Sequence, residues 1–239
     1  MIRTLLRQPL RLIPPKTVLP VLSGPNAGRR WVKGSGNPSY WLGYYERQHV
    51  QHFIDQARPG GVVWDIGANV GYYALAAARK TGAKVVAIEA LPENAAFLRR
   101  HVALNRADMI EVLEAAVTAS HNGTVFFERS ESRFQGKVGS GDLAVRSVSI
   151  DGLIADGLPA PALVKMDIEG GEADALIGAG KLLAERRCVW MVSLHGPDVA
   201  RRCYEIFAAH GYAMTDGNDA RKLSSAAEIE NCWGVWARP

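Results

Sequence analysis

The chain has 239 residues, 48% of them hydrophobic and 22% charged, and a net charge of +4. A chain of this length buries roughly 70–75% of the surface its unfolded form exposes, so it needs no disulfide or metal to fold. No apolar run approaches the roughly 20 residues that span a bilayer, and Cys188, Cys203 and Cys232 form no Cys-x-x-Cys pair, which excludes a disulfide framework and fits reduced thiols.

Residues 1–40 read as an N-terminal arm and residues 41–239 as one catalytic-sized domain. Before Glu46 the chain carries Arg3, Arg7, Arg11, Lys16, Arg29, Arg30 and Lys33 and no acid. Those seven charges, against a net of +4, leave the remainder at −3. The arginines at 3, 7 and 11 interrupt the apolar core an export signal requires, so the expected location is cytoplasmic. Prolines and glycines recur from Pro9 to Pro38, the mark of an irregular arm with room for one short strand. Such a basic arm is either a solvated tail or a contact for an anionic surface, including peripheral contact with the inner membrane face.

From Tyr44 to Ala57 apolar and aromatic residues recur at helical spacing. His49 and His52 share one face of that helix, and a packed or solvated surface is expected there rather than a metal pair. Beyond Gly61 strand and helix patterns alternate. Val62–Asp65, Lys84–Glu89, Ile110–Val117, Thr124–Glu128, Val145–Ile150, Leu163–Asp167, Cys188–Leu194 and Trp233–Trp236 read as strands. Val70–Lys80, Pro92–Asn105, Glu172–Ala184 and Pro197–His210 read as helices. The alternation predicts an α/β fold, a mostly parallel sheet with helices on both faces. Arg129–Asp142, which includes Ser132, Arg133 and Phe134, has no periodicity and suits a lid or acceptor-binding loop.

In such sheets ligands bind beyond the carboxyl ends of the strands, so the residues after each strand carry the chemistry. After the first strand comes Asp65-Ile66-Gly67-Ala68-Asn69-Val70-Gly71. Its glycines permit a tight turn and close approach to a ligand. A dinucleotide fingerprint would need glycine where Asn69 stands, and Asp65 would repel a pyrophosphate. An acid there suits an ammonium and a sulfonium, and Glu89, ending the second strand, suits the two ribose hydroxyls. The constellation favours S-adenosylmethionine over a nicotinamide cofactor. Val164-Lys165-Met166-Asp167-Ile168-Glu169-Gly170-Gly171-Glu172 then places three carboxylates at a strand end, with Glu172 at a helix start where the dipole favours it. These acids also suit a divalent cation or a plain turn, but no second ligand cluster is evident and no metal is expected.

The runs VVWDIGANVGYYALAAA (62–78), VVAIEALPENAAFLRRHVALN (85–105), EAAVTASHNGTVFF (114–127), VRSVSIDGLI (145–154) and LVKMDIEGGEADALIGA (163–179) resemble the FkbM family of methyltransferases. WLGYYERQHV (41–50) resembles that family's lead-in helix, and the likeness covers about residues 41–214. The resemblance implies a Rossmann-like class I fold with a seven-stranded sheet, S-adenosylmethionine as cofactor, and methyl transfer to a hydroxyl of a sugar, glycan or natural product. It implies that Asp65, Gly67, Asn69, Gly71, Glu89 and Ala116 line the cofactor, that Glu46 reaches its methionine end, and that Asp167 lies beside the methyl group. At the fifth strand, Val192-Ser193-Leu194-His195 has Ser193 where members often carry an acid. A hydroxyl needs a base to take its proton, and His195, Asp167 and Glu169 are the candidates, His195 having the ordinary pKa best suited to neutral pH. Three rivals are weighed beside this reading: a nicotinamide oxidoreductase, a nucleic-acid methyltransferase, and a binding domain without turnover. The second lacks an Asp/Asn-Pro-Pro-aromatic motif after Met166, and its phosphates would meet acids there.

Overall fold

A computed structural model of the protein describes residues 12–129, 136–139 and 141–239. Arg3, Arg7 and Arg11, and Ser132, Arg133 and Phe134 of the expected lid, lie outside the described residues. The main sheet has eight strands in the order β13-β12-β14-β11-β10-β3-β4-β5. These are β3 (Val62–Ile66), β4 (Lys84–Glu89), β5 (Ile110–Glu114), β10 (Leu163–Met166), β11 (Val189–Ser193), β12 (Ala213–Asp216), β13 (Lys222–Leu223) and β14 (Gly234–Arg238). From β5 to β11 all pairings are parallel, and β14 runs antiparallel between β11 and β12. The sheet thus exceeds the expected seven strands by the two-residue β13, which pairs antiparallel with β12.

Strand alternation divides the core into two faces. Val63, Val85, Ala87 and Leu163 pack with α2 (Arg47–Gln56) and α3 (Tyr72–Thr81). Ala74, Ala76 and Ala77 are fully buried on α3, where a side chain of one carbon lets the helix lie close to the strands. Trp64, Ile66, Val164, Met166 and Trp190 face the other way, against α6 (Glu172–Ile177), α7 (Gly180–Glu185) and α8 (Pro197–Ala209). The helix expected over 172–184 is broken at Gly178, where a Cβ would stand 2.4 Å from the carbonyl oxygen of Thr118. α4 (Pro92–Leu104) opens on its proline as expected.

Two departures from the sequence reading matter for the site. The apolar run 110–117 is two strands: β5 stays in the main sheet, and β6 (Ala116–Val117) turns into a second sheet with β7 (Gly123–Arg129), β8 (Gly136–Val138) and β9 (Leu143–Val148), in the order β6-β9-β7-β8. Ile150, read as strand, opens α5 (Ile150–Ala155), whose N-cap Ser149 accepts a hydrogen bond from the Gly152 amide.

The N-terminal segment is the second. β1 (Val18–Pro20) and β2 (Arg30–Val32) form an antiparallel hairpin, followed by α1 (Ser39–Leu42). Val21, Trp31, Tyr40 and Trp41 are buried in the same cluster as α2 and α3. Trp31 stacks on His101 of α4 with ring centres 3.9 Å apart. The Val32 amide donates to His101 Nε2, so Nδ1 carries the proton and donates to the Val70 carbonyl. Burial pulls that imidazole down to about 4, so it stays neutral while it ties the hairpin to the loop after β3. What reads as an irregular arm is, from Val18 onward, packed structure.

Candidate active site

The strand order reverses between β3 and β10, β4 and β5 lying on one side and β11 on the other, and a cleft of about 560 Å³ opens at that switch point. This volume lies within the range of small-molecule sites. Gly67, Ala68 and Asn69 form its floor with Glu89, Asp167 and Glu169 around them. Ala115, Ala116, Val117 and Phe127 give one apolar side, while Tyr40, Tyr45, Glu46, Ser193, His195 and Trp233 belong to the rest of the wall. Sequence reasoning misses Tyr40 and Trp233, which no motif marks, and Tyr45, which lies in the 41–50 run but has no role assigned by it. Their signal is only that they are aromatics beside expected strand or helix ends.

Gly67 has φ +74°, and a Cβ there would meet the carbonyl oxygen of Asp167 at 1.9 Å. The loop after β3 and the turn after β10 therefore touch through backbone. Gly67→Ala is expected to lose at least about 2 kcal/mol, since the left-handed conformation alone costs an L-residue about 1–2 kcal/mol. At about 2–4 °C per kcal/mol, a melting curve should fall by several degrees, and an unchanged midpoint would contradict the contact. Gly71 has a different use from the one expected. It is absent from the cleft wall, and its missing Cβ makes room for Leu98 of α4.

The loop amides are all taken. Gly67 and Ala68 donate to the Ile88 carbonyl, Asn69 to Glu89 Oε2, Val70 to the Asn69 side chain and Gly71 to Ala68. A pyrophosphate cradle needs such amides unpaired, so this loop is not built for one. The sequence reached that conclusion from Asp65, and the structure gives another reason. Asp65 is fully buried outside the cleft wall, where Oδ2 accepts from the Ala74 amide.

Asp65 faces Lys165, its register partner on β10. The Lys165 ammonium donates to the Gly67 carbonyl at 3.0 Å and lies 3.5 Å from Asp65 Oδ1 and 3.7 Å from Asp167 Oδ2. Burial pulls its pKa down, but Asp65, Asp167 and Glu46 outweigh that and hold it above the ordinary lysine value. One buried cation thus ties together the tips of β3 and β10.

Glu89 is 6% exposed, and its carboxylate accepts from the Asn69 and Leu91 amides at 2.7 and 2.9 Å. Burial raises its pKa against those hydrogen bonds. Glu46 accepts from the Tyr73 hydroxyl at 2.7 Å. Glu46, Asn69 and Glu169 all line the cleft with positive φ (38°, 51° and 55°), a conformation that costs non-glycine residues energy and collects at functional sites.

His195 follows β11. Its Nδ1 lies 2.8 Å from Glu172 Oε1, and its Nε2 lies 3.5 Å from both Asp167 and Glu169. The three expected base candidates are therefore brought together. Glu172 also accepts from the Ile168 and Gly170 amides, which makes it the acceptor toward His195 and places the imidazole proton on Nδ1. The hydrogen bond to Glu172 raises the His195 pKa above its ordinary value, burial opposing and Asp167 and Glu169 assisting. His49 and His52 are not in the cleft wall; they pack behind it on Trp233 and Trp236.

The cleft accepts an S-adenosylmethionine on chemical grounds. Small apolar residues leave room for a flat base, Glu89 suits hydroxyl donors, and the carboxylates of Glu46 and Asp167 suit positive charge. With phosphate cradling excluded, the sheet order and the carboxylates at its switch point place the protein among the class I S-adenosylmethionine-dependent methyltransferases. Residues 65–221 match the methyltransferase FkbM domain, and the chain belongs to that family. It is 30% identical over 188 residues, 77% of this chain and 70% of the relative, to the hexuronic acid methyltransferase AglP of Haloferax volcanii. The crystal structure of methyltransferase FkbM from Methylobacillus flagellatus KT is similar in fold, with TM-score 0.50 and 18% identity, covering 84% of this chain and 53% of that one. Tyr40, Tyr45, Glu46 and Trp233 all lie outside the matched 65–221 segment.

Proposed function

We propose that the protein methylates a hydroxyl group of a sugar, with His195 as the general base. The observation that carries this reading is His195 itself: Nδ1 is committed to Glu172, which leaves Nε2 toward Asp167 and Glu169 in the cleft. S-adenosylmethionine, when bound, would supply an electrophilic methyl group, its sulfur being the leaving group that keeps the bonding electron pair. His195 Nε2 removes the hydroxyl proton, and Asp167 or Glu169 orients the hydroxyl. Glu89 would hold the ribose, Glu46 the methionine ammonium, and Ala116 would line the adenine side of the cleft. Gly67 and Asn69 shape the floor on which these groups meet.

A sugar acceptor is favoured by two features besides the hexuronic acid methyltransferase relative. Trp233 lines the cleft and its carbonyl accepts from the amide of Leu194, the residue before the base, at 2.8 Å; an indole suits the apolar face of a sugar ring. The carboxylates Glu46, Glu89, Asp167 and Glu169 face the cleft, where the cations among the described residues are Lys165, already ion-paired, and His195. That balance opposes a phosphate-rich acceptor.

Glu89→Gln is expected to weaken S-adenosylhomocysteine binding about tenfold or more, since a charge-assisted hydrogen bond contributes about 1.5–3 kcal/mol. Calorimetric titration checks it, and an unchanged affinity would remove Glu89 from the ribose. The function itself is tested by transfer of labelled methyl to hexuronosides, neutral hexosides and transfer RNA. Label in a sugar fraction supports the reading, whereas label in RNA alone would overturn it.

A further inference from the structure

Glu172 opens α6, a place where an acid is explained by the helix dipole alone. Its side chain does something else. It is fully buried, bends back over the preceding turn, and accepts from the amides of Ile168 at 3.0 Å and Gly170 at 3.1 Å while holding His195 Nδ1 at 2.8 Å. A buried carboxylate with three donors is fixed in orientation and remains an acceptor. The ring it holds is about one-third exposed, and its opposite nitrogen lies on the side of Asp167 and Glu169, both in the cleft wall.

We infer that Glu172 is the positioning residue for the base: it fixes His195 with the proton on Nδ1, presents Nε2 to the acceptor hydroxyl, and offsets the positive charge the ring acquires on taking the proton. This rests on the reading of His195 as the base. Sequence and structure supply a reason for the carboxylate's place. Glu172 stands five residues beyond Asp167, and the turn between them, with Glu169 and Gly170 both in left-handed conformations, folds the chain so that both acids reach one imidazole. Asp167 and Glu169, 3.5 Å from Nε2, face the acceptor side of the ring, and Glu172 the other. Cys203 of α8 is influenced by Glu172, but burial pushes its thiol up to about 12, so it stays neutral and does not compete.

The other account of Glu172 is a cap for the 168–170 turn, with no influence on the imidazole's chemistry. Nitrogen-15 histidine NMR on the full chain separates the two and needs no acceptor. His195 is assigned by the signal missing from His195→Ala. In the parent, His195 is expected to titrate above the ordinary histidine midpoint of about 6.5 and to be the Nδ1–H tautomer once neutral. In Glu172→Gln the midpoint should move to lower pH by about one pH unit or more, because an opposite charge at this distance is removed. The Nδ1–H preference should weaken, while S-adenosylhomocysteine affinity stays within twofold. An unmoved midpoint in Glu172→Gln, or an Nε2–H tautomer in the parent, would overturn the inference. If Glu172→Gln does not fold, the parent's tautomer decides alone. Failure of the underlying reading looks different: His195→Ala would then keep parental turnover whatever the NMR shows.

Discussion

Replacing His195 with alanine is expected to lower kcat for methyl transfer by about 10²–10⁴-fold, the range general-base catalysis supplies. The affinity for S-adenosylhomocysteine should remain within twofold, because the imidazole sits on the carboxylate cluster after β10 and β11 and not beside Glu89 on β4. The fold should tolerate the change, since the ring is partly exposed and its loss leaves Glu172 bound to two backbone amides. The parent enzyme carries a matching pH signature. A base must be unprotonated, and the hydrogen bond to Glu172 holds the His195 pKa above its ordinary value, so kcat should rise with pH through a midpoint above about 6.5. For stability the sign is opposite. The raised folded-state pKa contributes fully below the unfolded value and is lost as pH climbs through the folded one. Activity and stability therefore trade against each other across the same window, and parallel pH profiles of kcat and the melting midpoint would show it. An His195→Ala variant with parental kcat would remove the base from the account.

Lys165→Met is expected to cost about 3–5 kcal/mol of stability, the range for removing one partner of a buried ion pair. Asp65 is fully buried, so the carboxylate left behind would sit out of bulk water without its cation. The Ala74 amide still donates to Asp65 Oδ2, but the Oδ1 oxygen then faces an apolar chain. The Gly67 carbonyl loses its donor as well. At about 2–4 °C per kcal/mol, a melting point lowered by some 6–20 °C is expected. The double variant Lys165→Met, Asp65→Asn should recover part of that loss, because it removes the uncompensated charge. A single variant as stable as the parent would show that the pair is not holding the two strand tips together.

Much of the candidate cleft's lining is legible in the sequence because motif and strand end coincide. The β3 loop, Glu89 at the tip of β4, and the acids after β10 all follow apolar runs whose ends are visible in the chain. The alternation of strands and helices gave the parallel core for the same reason. What escaped depends on contacts between distant segments. Nothing local shows that Trp31 stacks on His101, so the hairpin before residue 40 reads as an arm. Ala115 carries no turn signal, yet the chain leaves the main sheet there to begin the second one. Lys165 was visible as a lysine inside an apolar run, but its partner Asp65 lies one hundred positions away and is paired only by strand register. The sequence therefore reads Asp65 as a cofactor-lining acid, whereas the structure buries it 3.5 Å from the Lys165 ammonium. Glu172 shows the reverse case, where an ordinary helix-start acid conceals a contact 23 residues on.

The measurement that tests the central claim most directly is calorimetric titration of the full chain with S-adenosylhomocysteine, with NAD as the control. One equivalent of S-adenosylhomocysteine bound at micromolar affinity, with no heat from NAD, is the predicted result. Binding of NAD, or no binding of S-adenosylhomocysteine at millimolar concentration, would contradict it.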